Sequence, residues 1–283
     1  MGHQEDRCEV AFVLGGGGIL GAHEVGMLRA LAESSVAPDL ILGTSVGAIN
    51  GALFAADPTL EGVHRLSRLW RESSVSDVSP GAVVRRISTL ARTGTHLESL
   101  GIARAQLVEA LPVERVEDLQ VRFQCVAASI ERAAEHWFES GVLADVVLAS
   151  CAVPGILPPV RIGDEHFIDG GIVNSIPVTR AVELGARSIY VLQVGRLEKP
   201  LQPPRWPWEV ALVAFEIARR HRFSHDLLSL PKDVELHVLP TGGSAAPAYN
   251  DVSGQLRLRR MTRTVRQQID VSYEASMRYL QEL

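Results

Sequence analysis

Cysteine is scarce. Cys8, Cys125 and Cys151 are the only three in 283 residues, too few and too widely spaced for a disulfide framework, and no Cys-x-x-Cys pair offers a zinc site. A reducing compartment is the expectation. Positive charge is not in excess either: 28 Lys and Arg against 33 Asp and Glu leave a net charge of −5, so the chain has no electrostatic footprint for nucleic acid. The start, "MGHQEDRCEV", lacks the apolar core of a signal peptide, and Asp6 stands where a myristoylation signal carries Ser or Thr. A run that could cross a bilayer is also missing. The nearest, Leu40 to Ala56, is interrupted by Gly43, Gly47 and Gly51 and by Thr44, Ser45 and Asn50, which read better as a strand, a turn and a buried helix. Internal repeats and low-complexity segments are absent as well. These absences leave the expectation of a cytoplasmic chain, and with 46% hydrophobic residues it can bury a sizeable core.

What is present is an alternation of strand and helix signals. "EVAFVL", Glu9 to Leu14, is β-prone and leads through a glycine cluster into the helical "GAHEVGMLRALAE". A second unit repeats the pattern with "DLIL", the turn "GTSVG" and a helix over Ala48 to Ala56. A helix around Leu60 to Glu72 follows, then a Ser/Pro/Gly/Arg-rich connection from Ser73 to Thr95. "VRFQCVAASI" and "AEHWFE" form a hairpin pattern, "LADVVLAS" a helix, and "EHFIDGG" a short strand ending at Asp169. "SIYVLQV" and "VELHVLP" are strands, separated by a helix over Trp208 to Leu230, and an Arg-rich helix closes the chain from about Gly254 to Leu283. Such alternation predicts an α/β fold, a mainly parallel central sheet with helices on both faces. The whole of residues 1–283 reads as one domain, with 200–283 a C-terminal helical extension packed on it and a candidate lid or lipid-contact region.

"GTSVG", Gly43 to Gly47, fits G-x-S-x-G at a strand-to-helix junction, where close glycines relieve crowding around Ser45 and the helix dipole favours developing negative charge. In the upstream cluster, Gly16, Gly18 and Gly21 also fit the dinucleotide fingerprint G-x-G-x-x-G. That reading fails at the second strand, whose far end holds Gly43, Thr44 and Ser45 instead of the acid that would bind a ribose. A Gly-Lys-Ser/Thr phosphate loop is missing too. In a parallel sheet both turns lie on one carboxyl edge, so the N–H groups of Gly16 to Gly18 can face an acyl oxyanion bound at Ser45.

A nucleophilic serine needs a base. His221, His225 and His237 are the late histidines that a Ser-His hydrolase would use, but the first two sit on an Arg-rich helix pattern and the third within a strand. Asp169 in "FIDGGIVNSIP" is the stronger candidate: a carboxylate at a strand end, followed by glycines that admit neighbouring backbone, can accept the serine proton directly if the site is dry enough to raise its pKa.

Taken together, "LGGGGILGAHEVGMLRAL", "GTSVGAING" and "SCAVPGILPPVRIGDEHFIDGGIVNSIP" resemble the patatin-like phospholipase family, from Val10 to about Val194. The resemblance implies a Ser–Asp dyad with Ser45 as nucleophile and Asp169 as base. It also implies an oxyanion hole from Gly16, Gly17 and Gly18, motif glycines at Gly21, Gly43, Gly47, Gly170 and Gly171, and hydrolysis of lipid acyl esters without a metal or cofactor. One position departs: Leu20 stands where the family's glycine loop carries Arg or Lys, which shifts the expectation from phospholipids toward neutral esters. Two alternatives stay open, a catalytically weak lipid- or partner-binding member and a His-dependent esterase.

Weaker features concern membranes. "RWPWEVALVAFEI" places Trp206, Trp208, Leu212, Val213 and Phe215 where they could line an acyl site or touch a bilayer, though Ala, Val and Ile at helical spacing fit a packed helix better. "RRHRF" and the run Arg257 to Arg266 could meet anionic lipid heads in a peripheral contact, against a reading as solvated helix faces. Cys151 reads as a small buried residue.

Overall fold

The computed structural model describes residues 8–76, 93, 99–194, 200–204, 207–242 and 262–283. The first units follow the sequence closely: β1 (Val10–Leu14), α1 (Ala22–Glu33), β2 (Leu40–Thr44), α2 (Val46–Ala56) and α3 (Leu60–Ser76). Then come α4 (Leu100–Ala110), β3 (Arg122–Ser129), β4 (Ala134–Phe138), α5 (Leu143–Ser150), β5 (Val160–Ile162) and β6 (Glu165–Asp169). The chain continues with α6 (Val178–Glu183), β7 (Ser188–Leu192), α7 (Pro207–Leu228), β8 (Glu235–Val238) and α8 (Thr262–Gln281). α3 therefore runs into the segment expected to be a loop from Ser73, and the remainder of that connection, 77–92 and 94–95, lies outside the described residues. So do the start of the final helix pattern and the first half of the run Arg257 to Arg266.

The eight-stranded sheet has the order β5-β6-β3-β2-β1-β7-β8, with β4 paired to β3. β3, β2, β1, β7 and β8 are mutually parallel, and β4, β5 and β6 join antiparallel. The α/β fold with a mainly parallel sheet is thus as expected. Because successive side chains of a strand point to opposite faces, β1 serves two cores: Phe12 and Leu14 pack in one with α1, α2 and α5, while Ala11 and Val13 pack in the other with α6 and Phe223 of α7. Residues 200–283 supply, besides helices, the edge strand β8.

One feature of register positions everything that follows. Val126 of β3 pairs with Thr44 of β2 on one side and Trp137 of β4 on the other, and Ala127 pairs with Asp169 of β6 and His136 of β4. Since β4 occupies one flank of β3 over Cys125–Ser129, and there β2 and β6 each pair on the other side, β2 and β6 share the opposite flank. They run toward each other, so the last residue of β6 and the residue after β2 meet end to end against the long strand β3.

Candidate active site

Ser45 sits in the turn between β2 and α2 with φ 55° and ψ −122°, a backbone conformation that a residue with a Cβ rarely adopts. The flanking glycines are required by close backbone contact. A Cβ on Gly43 would lie 2.6 Å from Ala48 Cα, and one on Gly47 would lie 2.2 Å from the Leu14 carbonyl oxygen, where α2 crosses the end of β1. The turn is pinned from outside: Ser45 N–H donates to Ser150 Oγ at 2.9 Å, and the Ser45 carbonyl accepts from Ala48 N–H at 2.9 Å and from the Cys151 thiol at 3.0 Å. Its side chain does not cap α2, which leaves the hydroxyl available elsewhere.

That hydroxyl donates to Asp169 Oδ2 at 2.6 Å across 124 residues of sequence. The other carboxylate oxygen, Oδ1, accepts from Gly171 N–H at 2.7 Å. Asp169 is 1% exposed, and burial pushes its pKa up from 3.8 to about 6 although both hydrogen bonds pull it down. Gly170 lets this strand end approach β3, because a Cβ there would meet the Val126 carbonyl oxygen at 2.1 Å. At Gly171 a Cβ would meet the Phe215 ring at 2.8 Å, so α7 lies against the aspartate loop.

Of the upstream glycines, Gly16 faces the same place. A Cβ on Gly16 would lie 3.6 Å from Ser45 Cβ and 3.1 Å from Ser175 Oγ. Of the three glycines expected to donate to an oxyanion, Gly16 has its N–H on the Ser175 carbonyl at 3.1 Å. The N–H groups of Gly17 and Gly18 have no backbone acceptor among the described residues and remain as the candidate donors. Gly18 has φ 54°, and Gly21 is crowded by Val46 and Trp70.

The late histidines are elsewhere. His237 stacks on Tyr190 out on edge strand β8, and His221 and His225 are exposed on α7. "RRHRF" is only partly a solvated face: Arg219 is 3% exposed and its Nη1 donates to the Gly16 carbonyl at 3.1 Å. Sequence reasoning missed this residue, yet a signal was there. Glu216, Arg219, Phe223 and Asp226, all buried, recur at helical spacing and mark the inward face of α7. Ser150 and Cys151, which hold the Ser45 backbone, carried no comparable signal; burial keeps the Cys151 thiol pKa well above its ordinary value. Of the membrane candidates, Phe215 packs on Gly171, Val213 is half-buried, Trp206 lies outside the described residues and so do the side chains of Trp208 and Leu212.

Among the described residues no cluster of three or more His, Cys, Asp or Glu side chains could hold a metal ion, and no helix is long and apolar enough to cross a membrane.

A family model described as patatin-like phospholipase matches residues 12–182. Patatin-like phospholipase domain-containing protein 7 of Rattus norvegicus is 32% identical over 188 residues, covering 66% of this chain and 14% of that protein. Lysophospholipase nte1 of Aspergillus terreus is 29% identical over 197 residues, covering 67% of this chain and 12% of that protein. The match thus spans about one seventh or less of these curated relatives' length. Among solved structures, VipD from Legionella pneumophila aligns with a TM-score of 0.47 at 14% identity, covering 98% of this chain and 67% of that one.

Proposed function

Because the chain belongs to the patatin-like phospholipase family, we propose that it is a serine lipid acyl hydrolase of phospholipase A, lysophospholipase or esterase type, working through Ser45 and Asp169. The observation that carries this reading is the buried 2.6 Å hydrogen bond from Ser45 Oγ to Asp169 Oδ2. Ser45 Oγ attacks the ester carbonyl carbon while Asp169 takes the hydroxyl proton, a transfer that a carboxylate with a pKa near 6 can accept at neutral pH. The N–H groups of Gly17 and Gly18 stabilise the tetrahedral oxyanion. The alkoxide then leaves with the proton from Asp169, and in the second half Asp169 activates water to release the fatty acid and restore the hydroxyl. Donors of this kind are each worth about 3 kcal/mol in known acyl-transfer sites.

Leu20, in place of a loop cation, favours a neutral ester or a short acyl ester over an anionic phospholipid. Incubating wild type and Ser45→Ala with phospholipids, lysophospholipids, acylglycerols and short-chain p-nitrophenyl esters, with released acids read by mass, tests both points. Acid release by wild type alone is expected. Equal release by Ser45→Ala, or none by wild type on any substrate together with no labelling of Ser45 by a fluorophosphonate, would overturn the hydrolase reading in favour of a binding role.

A further inference from the structure

The glycine loop is clamped at both ends by side chains from other elements. At its far end Asn50 Nδ2 donates to the Gly21 carbonyl at 3.0 Å and to Glu24 Oε2 at 2.7 Å, while Trp70 Nε1 donates to Asn50 Oδ1 at 2.9 Å. At its near end the Gly16 N–H is held by the Ser175 carbonyl, and the Gly16 carbonyl by Arg219 Nη1 at 3.1 Å, from 203 residues away on α7. The Gly16 carbonyl and the Gly17 N–H belong to one planar trans peptide, so they point in opposite directions. Whatever fixes that carbonyl therefore fixes where the Gly17 N–H points, and a cation on the oxygen polarises the amide into a stronger donor.

Arg219 is a costly choice for a purely structural bond. Its side chain is 2% exposed, its nearest carboxylate contact is Glu216 Oε2 at 3.6 Å, and Glu216 is also held by Arg220 at 2.9 Å. Nε and Nη2 of Arg219 have no hydrogen-bond acceptor among the described residues. Burying a guanidinium so sparsely partnered is expensive, and an apolar side chain of similar volume would be as stable or more so.

We propose that Arg219 is the positioning residue of the oxyanion hole, a cation supplied by α7 that aims and polarises the Gly17 amide, in a chain whose glycine loop has Leu20 and no cation of its own. The assignment rests on the Ser45 hydrolase reading for its catalytic consequence, whereas the anchoring itself does not. Arg219 bonds the Gly16 carbonyl and not Ser45 or Asp169. It acts through a peptide group, so its loss reduces turnover without reducing ground-state binding.

Arg219→Met and Arg219→Lys test this in the full-length protein by two measurements. Amide hydrogen exchange of the peptide spanning Gly15 to Gly21, read by mass spectrometry, reports anchoring; steady-state hydrolysis of whichever ester wild type cleaves reports the consequence. In Arg219→Met exchange is expected to speed up in that peptide while β1, β2 and β7 stay unchanged, and kcat to fall roughly 10–100-fold with KM within about twofold, short of the full loss of one oxyanion donor. In Arg219→Lys, whose ammonium can still reach a carbonyl, kcat is expected to fall by less than in Arg219→Met. Unchanged exchange in the loop of both variants would overturn the anchoring. Faster exchange with unchanged kcat, or a raised KM at unchanged kcat, would overturn the catalytic role. Exchange reads the clamp even if wild type cleaves no ester, so that outcome counts against the hydrolase reading and the positioning role that depends on it, while the anchoring is judged separately. If Arg219→Met does not fold, the Lys variant carries both measurements.

Discussion

Replacing Asp169 by Asn should remove a stability cost along with the proposed base. The substitution conserves shape and the bond from Gly171 N–H to Oδ1, while the Ser45 contact reverses, Nδ2 donating to Oγ where Oδ2 accepted before. The charge is lost. Burial raises the pKa from 3.8 to about 6, so between those values the folded protein binds a proton that the unfolded chain releases. The Asp169 contribution to folding stability therefore falls as pH rises from about 4 to about 6 and is flat above, the ionised carboxylate costing about 3 kcal/mol at roughly 1.4 kcal/mol per pH unit. Asn removes that contribution. The variant should match wild type near pH 4 and exceed it by about 3 kcal/mol at pH 7 to 8, or about 6 °C in Tm at roughly 2 °C per kcal/mol for a chain of this size. Urea or thermal unfolding at half-unit steps from pH 4 to 8 measures the gap. A gap that stays constant with pH, or a variant less stable than wild type at pH 8, would refute the claim that the ionised form of Asp169 is held against a desolvation penalty.

Three further outcomes follow from the same geometry. The rate of ester hydrolysis should rise with pH through a single ionisation near 6 and drop below it, since only the ionised Asp169 accepts the Ser45 proton; a profile flat from pH 5 to 8 in kcat/KM would count against that base. Ser45→Gly and Ser45→Ala both delete the hydroxyl, but only Gly fits φ 55° without strain, so the Gly variant should unfold about 1–2 kcal/mol later than the Ala variant, measured by urea denaturation. Gly47→Ala, whose Cβ would sit 2.2 Å from a backbone oxygen, should lose about 3 kcal/mol or more, whereas Gly16→Ala, whose closest contact is the 3.1 Å approach to the Ser175 hydroxyl, should fold and lose turnover instead.

Much of the molecule is written in short stretches of sequence. The β-prone run before the glycines, the G-x-S-x-G turn, the hairpin of β3 with β4 and the strand ending at Asp169 all depend on sterics and periodicity within a few residues, and such signals survive without knowledge of the rest of the chain. The same locality explains how Ser45 and Asp169 could be nominated separately, one from its turn and the other from its strand end. It also explains the errors. Charge alone makes the late Arg-rich helix pattern read as solvated, while the structure buries Glu216 and turns Arg219 onto the Gly16 carbonyl.

Other properties exist only in three dimensions. The serine and the aspartate meet because β2 and β6 run head-on along one flank of β3, a matter of strand register that couples residues 124 apart and leaves no mark in either segment. Which glycine amide is spent is decided by the Ser175 carbonyl, and where the next amide points by a guanidinium from another helix. Burial of Asp169, and with it a pKa near 6, is likewise set by whatever packs over the strand end. Sequence by itself determined most of the elements, though not α4, β5 or α6, and the candidate residues, because backbone sterics act within a turn or two. Tertiary structure alone decided their distances, their hydrogen-bond partners and their protonation, because those depend on groups that folding brings together from the far ends of the chain.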